Sequence, residues 1–268
     1  MSVQTPAIPQ DVCRDIEARL RQIEREHEVR IFYACESGSR AWGFASTDSD
    51  YDVRFLYAHP RAWYLSIDLE RRRDVIEQPI TDALDLSGWD LRKALGLMRK
   101  SNPPLLEWLR SPVVYRAAEP VCRELRALVP AHYSRRAASY HYLSMAQGTF
   151  RDYLRRDEVR LKKYFYVLRP LLAVRWVAQD RGPVPMEFAR LVGETLSGHD
   201  AVREAIARLL REKRAGEELD YGPRRPVLHD FIEAEFARHA EHHVEHRTQK
   251  PGVERLNRFF RHALDLLT

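Results

Sequence analysis

The stretch Gly38-Ser39-Arg40-Ala41-Trp42-Gly43-Phe44-Ala45-Ser46-Thr47-Asp48-Ser49-Asp50-Tyr51-Asp52-Val53 sets a tight, phosphate-sized turn a short spacer ahead of two carboxylates. Upstream, Val29 to Cys35 is apolar, β-branched and aromatic, the composition of a buried strand, and it stops at Ser37-Gly38-Ser39. Gly38 lets the backbone approach an anion closely. The N–H groups of the turn and the Ser39 hydroxyl can hold that anion, with the fixed charge of Arg40 beside it. Downstream, Tyr51 to Tyr57 reads as the next strand. Side chains alternate along a strand, so Asp50, Asp52 and Arg54 project to one face.

Two carboxylates on one face repel each other unless a cation lies between them. Mg²⁺ prefers one or two carboxylates completed by water and substrate phosphates. The pattern therefore points to a metal-bound triphosphate. Other readings of the segment fail on position. Counted from Asp48, the sixth place of a calcium loop is Val53 where Gly is needed, and the twelfth is His59 where Glu is needed. The glycines near position 38 also lack the spacing and the Lys of a P-loop, and they do not form a dinucleotide fingerprint.

Gly38-Ser39 followed by Asp50-Tyr51-Asp52 resembles the DNA polymerase β-like nucleotidyltransferase superfamily, whose pattern is a Gly-Ser turn, a spacer and Asp-x-Asp on the next strand. A closer resemblance, over nearly the whole chain, is to the nucleotidyltransferases associated with bacterial RNA repair, the RlaP-like family. It is carried by Gly38 to Gly43, Ser49 to Phe55, Asp85-Leu86-Ser87-Gly88-Trp89-Asp90, Asn102-Pro103 with Glu107-Trp108-Leu109, and Lys162-Lys163-Tyr164-Phe165-Tyr166.

The resemblance implies an α+β fold: a polymerase β-like core of mixed sheet and flanking helices, then an all-helical C-terminal domain. It also implies a third metal-binding carboxylate on a later strand, with Asp82, Asp85 and Asp90 as the candidates. Asp85 is preferred, near the end of a predicted strand from Ile80 to Leu86. Asp90 suits the first turn of a following helix, and Asp82 falls out of register. The implied site is Asp50, Asp52 and Asp85 around two Mg²⁺ ions, or Mn²⁺ in their place. Gly38, Ser39 and Arg40 would lie on the triphosphate. Arg54 either touches a phosphate or orients Asp52 through an ion pair.

Farther along, Lys162, Tyr166 and Arg169 fall at i, i+4 and i+7 of a helix predicted over Val159 to Gln179, with a kink at Pro170. That stripe, Arg169 included, could close over a nucleotide, and the resemblance places the Lys162-Lys163 pair on the triphosphate. The domains expected are residues 1–125, catalytic, and 126–268, helical and closing the nucleotide and acceptor cleft. Expected helices cover Asp11 to His27, the segments from Trp89 and from Pro104, Tyr140 to Leu154, and the stretches after Pro185, Gly198 and Pro223.

The 268 residues carry 44 Lys and Arg against 39 Asp and Glu, with Arg far outnumbering Lys, a balance suited to phosphate recognition. Cys13, Cys35 and Cys122 form neither a metal motif nor an even disulfide set. No membrane-length apolar run is present, and Met1 to Gln10 lacks the pattern of a signal peptide, so a cytoplasmic location is expected. His239, His242, His243 and His246 have i, i+4 spacing but no completing ligand, and read as a solvated helix face. The expected function is metal-dependent transfer of an NMP from an NTP to an acceptor hydroxyl, on RNA, with release of pyrophosphate. The alternatives are nucleotidylation of a small molecule or a protein, and a non-catalytic nucleotide or RNA binder.

Overall fold

The computed structural model describes residues 8–46, 49–81, 83–215, 220–241 and 252–267. Helix α1 (Gln10–His27) buries Ile16, Leu20 and Ile23 at helical spacing and ends at Glu28, whose left-handed backbone lets its N–H reach the Glu24 carbonyl. Strand β1 (Arg30–Glu36) follows. A single helical turn, α2 (Gly38–Ala41), precedes β2 (Tyr51–Ala58). Then come α3 (Arg61–Tyr64), β3 (Val75–Glu77), β4 (Leu84–Asp90), α4 (Leu91–Arg99), α5 (Pro103–Trp108), β5 (Val114–Ala117) and α6 (Glu119–His132).

The five strands form one sheet in the order β3-β4-β2-β1-β5, in which β2 and β4 run parallel and every other pair is antiparallel. Side-chain alternation divides the sheet into two faces. Val53, Phe55, Tyr57, Leu84 and Leu86 pack with Ile16, Leu20 and Ile23 of α1. Each of these fully buried aliphatic side chains contributes roughly 1.5–3 kcal/mol. The opposite face packs Phe32, Tyr33, Cys35 and Leu56 against α4, α5 and α6. Asp52, Arg54 and Asp85 point to that second face, out of phase with the residues under α1.

The strand predicted over Ile80 to Leu86 lies later, from Leu84 to Asp90. Ala83 has a left-handed backbone (φ 63°) that turns the chain into the sheet, and Ile80 is exposed. Gly88, beyond the predicted end of that strand, sits inside β4. A Cβ there would lie 2.1 Å from the ring of Phe55, so the aromatic ring occupies the space a side chain would take.

The remainder contains α7 (Arg135–Tyr153), β6 (Glu158–Arg160), α8 (Lys163–Ala178), α9 (Phe188–Thr195), α10 (Asp200–Arg214), β7 (Tyr221–Pro223) and α11 (Pro226–Glu241). It is helical as expected, with one addition: β6 and β7 form a two-stranded ribbon pairing Arg160 with Tyr221. The predicted helix therefore begins at Lys163 rather than Val159. It runs unbroken through Pro170. The last helix, α12 (Glu254–Leu267), inserts Leu256, Phe259, Ala263 and Leu264 into the core shared by α4, α5 and α6.

Contacts group the described residues into two compact units. The sheet unit holds 8–41, 50–133 and 252–267; the helical unit holds 134–215 and 220–241 together with Trp42 to Ser46 and Ser49. This division is more interleaved than one boundary between residues 125 and 126. The spacer after Ala41 is anchored among helices: the Trp42 carbonyl accepts from the Phe188 N–H at 2.9 Å, and the Phe44 ring stacks on Phe165 at 4.8 Å.

Candidate active site

The site starts where β1 ends. The Ser37 N–H donates to the Asp52 carbonyl at 2.8 Å, tying the end of one strand to the start of its neighbour. Gly38 follows with φ 57°, in the left-handed region that glycine enters without a Cβ penalty. A Cβ at Gly38 would lie 1.8 Å from Asp52 Oδ2, so the turn rests directly on that carboxylate oxygen. Ser39 and Arg40 are buried. The Arg40 Nε donates to the Asp50 carbonyl at 3.2 Å, and its guanidinium lies 3.8 Å from the center of the Tyr51 ring. Arg40 thus clasps the turn to the entry of β2.

The parallel register sets Asp52 opposite Asp85. Arg54, one step along the same face, lies between the two carboxylates. Its Nη2 donates to Asp85 Oδ2 at 2.7 Å and to Asp52 Oδ1 at 3.2 Å, while Nη1 donates to the carbonyls of Asp85 at 2.9 Å and Val53 at 3.1 Å. Asp50 stands just before β2 with its side chain exposed. Burial raises the Asp52 carboxyl above the usual range; Arg54 works against that, and the charges of Asp85 and Asp50 add to it. Among the described residues, no three His, Cys, Asp or Glu side chains are gathered about one point.

The donor set fits a divalent cation. Carboxylate oxygens are the hard ligands Mg²⁺ takes, and Asp52 Oδ1 and Asp85 Oδ2 already hold the positive charge of Arg54 between them. Of the other candidates for a third carboxylate, Asp82 lies outside the described residues. Asp90 is buried at the far end of β4, where it accepts from the Tyr64 hydroxyl at 2.6 Å and caps α4 by accepting from the Arg92 N–H at 2.7 Å. Asp90 is committed to holding the fold.

Sequence reasoning passed over Glu36. This fully buried carboxylate accepts from the Asp52 N–H at 2.9 Å and from the Tyr115 hydroxyl. Burial pushes it up to about 7, against the stabilising pull of those two donors. An acidic residue ending an apolar run reads as the point where a strand meets water. The one available signal was its position, two residues before the glycine of the turn.

Other predicted residues lie in the helical unit. Lys162 stands immediately before α8 without a side-chain capping bond, and Lys163 Nζ sits 4.3 Å from the ring center of Tyr153 and 4.9 Å from that of Tyr166. Burial, then the charges of Arg160 and Lys162, lower the Lys163 ammonium below its ordinary value. Arg169 lies inside the helical unit. It is 3 % exposed, donates to the carbonyls of Pro185 and Met186 at 3.4 Å, and lies 4.6 Å from the ring center of Trp42. Three residues beyond Tyr166 on α8, it faces the packed interior. His239 is half-buried 3.9 Å from Glu235, whereas His242, His243 and His246 lie outside the described residues.

Comparison with known proteins gives the family of the chain. Residues 12–262 match the family described as RlaP: RNA repair pathway DNA polymerase beta family. The chain belongs to that family. RlaP membership makes it a nucleotidyltransferase of the polymerase β type. The chain is also similar to the uncharacterized protein YcgL of Bacillus subtilis (strain 168), 48% identical over 247 residues that span 92% of this chain and 94% of that one. A crystal structure of a nucleotidyltransferase-like protein from Exiguobacterium sibiricum 255-15 aligns with 91% of this chain and 86% of its own, at 12% identity and a TM-score of 0.30.

Proposed function

We propose that this RlaP-family nucleotidyltransferase transfers a nucleoside monophosphate from an NTP to a hydroxyl of an RNA acceptor in the presence of Mg²⁺. The acceptor oxygen forms a bond to the α-phosphorus, the bond from that phosphorus to the β-phosphate bridge breaks, and pyrophosphate leaves. The observation that carries this reading is the juxtaposition of Asp52 and Asp85 across parallel strands, beneath the Gly38 turn. Asp50, Asp52 and Asp85 would hold two ions, which supply charge neutralisation at the phosphates and an activated acceptor hydroxyl. Gly38 and Ser39 offer backbone and hydroxyl donors to the triphosphate. Arg40 fixes that turn, and its charge favours ionised Asp52. Catalysis in such a site is mainly positioning and electrostatic stabilisation.

RNA is favoured as acceptor by the face of the helical unit around Lys163. Exposed Tyr153, Tyr166 and Tyr221 stand beside Lys163 and Arg160, with Arg160 lying 5.9 Å from the Tyr221 ring center. Rings that can stack on bases, interleaved with cations that meet phosphates, suit a single strand. Lys162 and Lys163 remain the proposed phosphate partners of that unit. No described helix is long and apolar enough to cross a membrane, in keeping with a proposed cytoplasmic site of action.

The test is transfer of label from each α-labelled NTP, with Mg²⁺ or Mn²⁺, to cellular RNA and protein pools. Label in RNA that disappears with Asp50→Asn/Asp52→Asn supports the proposal. NTP binding without transfer in any pool would leave a nucleotide binder instead.

A further inference from the structure

Arg54 is held more tightly than a residue waiting for substrate needs to be. One nitrogen, Nη2, bridges Asp52 Oδ1 and Asp85 Oδ2, and the other is bound to the carbonyls of Asp85 and Val53. The group is only 19% exposed. A carboxylate has two oxygens, and Asp52 divides them: Oδ1 faces the guanidinium, whereas Oδ2 lies under the Gly38 turn. The position between Asp52 and Asp85 is therefore filled by a positive charge that the chain itself supplies. The Oδ2 side of Asp52 keeps its place next to the turn.

We propose that Arg54 is a resident cation, competing with a divalent ion for the position between Asp52 and Asp85, so that strong metal binding there requires Arg54 to withdraw. The inference rests on the reading of Asp52 and Asp85 as metal ligands. Two like charges cannot share a gap in which Nη2 stands 2.7 Å and 3.2 Å from the carboxylate oxygens. In the absence of metal, the guanidinium relieves the repulsion that the facing carboxylates would otherwise suffer. Once withdrawn, the same side chain carries a planar charge suited to a phosphate. The two roles left open by the sequence, ion pair and phosphate partner, thereby become two states of one residue.

The test is Mn²⁺ binding to the full chain without nucleotide, followed by electron paramagnetic resonance, which does not depend on turnover. Arg54→Gln is expected to tighten Mn²⁺ binding at least about tenfold over the unaltered chain, equivalent to about 1.4 kcal/mol. Arg54→Lys should fall between them. Asp52→Asn and Asp85→Asn should each weaken it. Unchanged or weaker binding in Arg54→Gln, with its melting transition intact, overturns the proposal. Tighter binding in Arg54→Gln together with no NMP transfer by the unaltered chain sustains it while removing the transferase reading.

Should Arg54→Gln fail to fold, the unaltered chain still decides the matter through ¹⁵N resonances of the Arg54 guanidinium. In metal-free protein the Nη signals should be resolved by slow rotation, and they should merge on saturation with Mg²⁺. Signals that stay resolved at saturating Mg²⁺ overturn the proposal.

Discussion

Gly38 and Asp52 meet so closely that a methyl group on Gly38 would overlap Asp52 Oδ2, 1.8 Å away. The glycine is thus fixed twice, by its left-handed backbone and by the carboxylate against it. Gly38→Ala should lower transfer by about two orders of magnitude, because Asp52 must move, and left-handed strain of about 1–2 kcal/mol should lower the melting temperature. Transfer assays beside thermal unfolding check this; an alanine variant of full activity would remove Gly38 from the site.

Asp85 and Asp90 occupy one strand in different surroundings. Asp85→Asn should reduce transfer by about 100-fold or more with the fold intact, because it removes a carboxylate facing Asp52. Asp90→Asn keeps a side-chain cap for α4 and should leave transfer within a few-fold. Reversal of that order, in rates measured at matched folded fractions, would reassign the third ligand.

Asp90 also sets a pH dependence. Burial raises it from 3.8 to about 6, overcoming the Tyr64 hydroxyl and the Arg92 N–H that favour the ionised form. Between those values the folded state binds more protons than the unfolded state, so this contribution is complete below pH 3.8 and is lost as pH rises through about 6. Asp90→Asn should therefore gain stability relative to the unaltered chain across that window, by roughly 3 kcal/mol. Urea unfolding of both proteins from acid to neutral pH measures the difference; parallel curves would show no such shift.

Arg169 holds the helical unit together, and Arg169→Met leaves the carbonyls of Pro185 and Met186 without their donor. The cost should be roughly 2 kcal/mol. NTP affinity should stay unchanged. Weaker NTP binding at an unaltered melting temperature would return Arg169 to the ligand.

Tyr153 and Lys163 test the nucleic-acid face. Tyr153→Ala should weaken single-stranded RNA binding by about 1–3 kcal/mol, and Lys163→Gln should flatten its salt dependence. NTP binding measured alone should respond less to Tyr153→Ala than RNA binding does. Equal losses for both ligands would place Tyr153 on the nucleotide.

Much of the sheet unit was legible because its signals are local. Ile16, Leu20 and Ile23 mark α1 by spacing, Asn102-Pro103 marks the start of α5, and the Gly-Ser turn with Asp-x-Asp marks the end of β1 and the start of β2. The strand that carries Asp85 was placed too early, since the packing of Phe55 on Gly88 depends on a neighbouring strand and leaves no trace in local composition. Glu36 was hidden for a related reason: its partners are the Asp52 N–H and Tyr115, far along the chain. Lys162 falls just before α8, while Tyr166 and Arg169 lie on it, and their spacing does not say how far round the helix the interior extends. Twelve of its residues are buried, Arg169 among them.

The sheet unit closes its second hydrophobic face only with α12, whose Leu256, Phe259, Ala263 and Leu264 join Leu91, Leu95 and Leu125. During synthesis the ribosome has to deliver the whole helical segment before those four residues emerge. Until then the sheet carries an uncovered apolar surface, the kind of surface that chaperones bind and that drives nascent chains to associate. The helical segment, which follows α6, is thus made while its predecessor is unfinished, and the covering of the sheet's second face waits for α12.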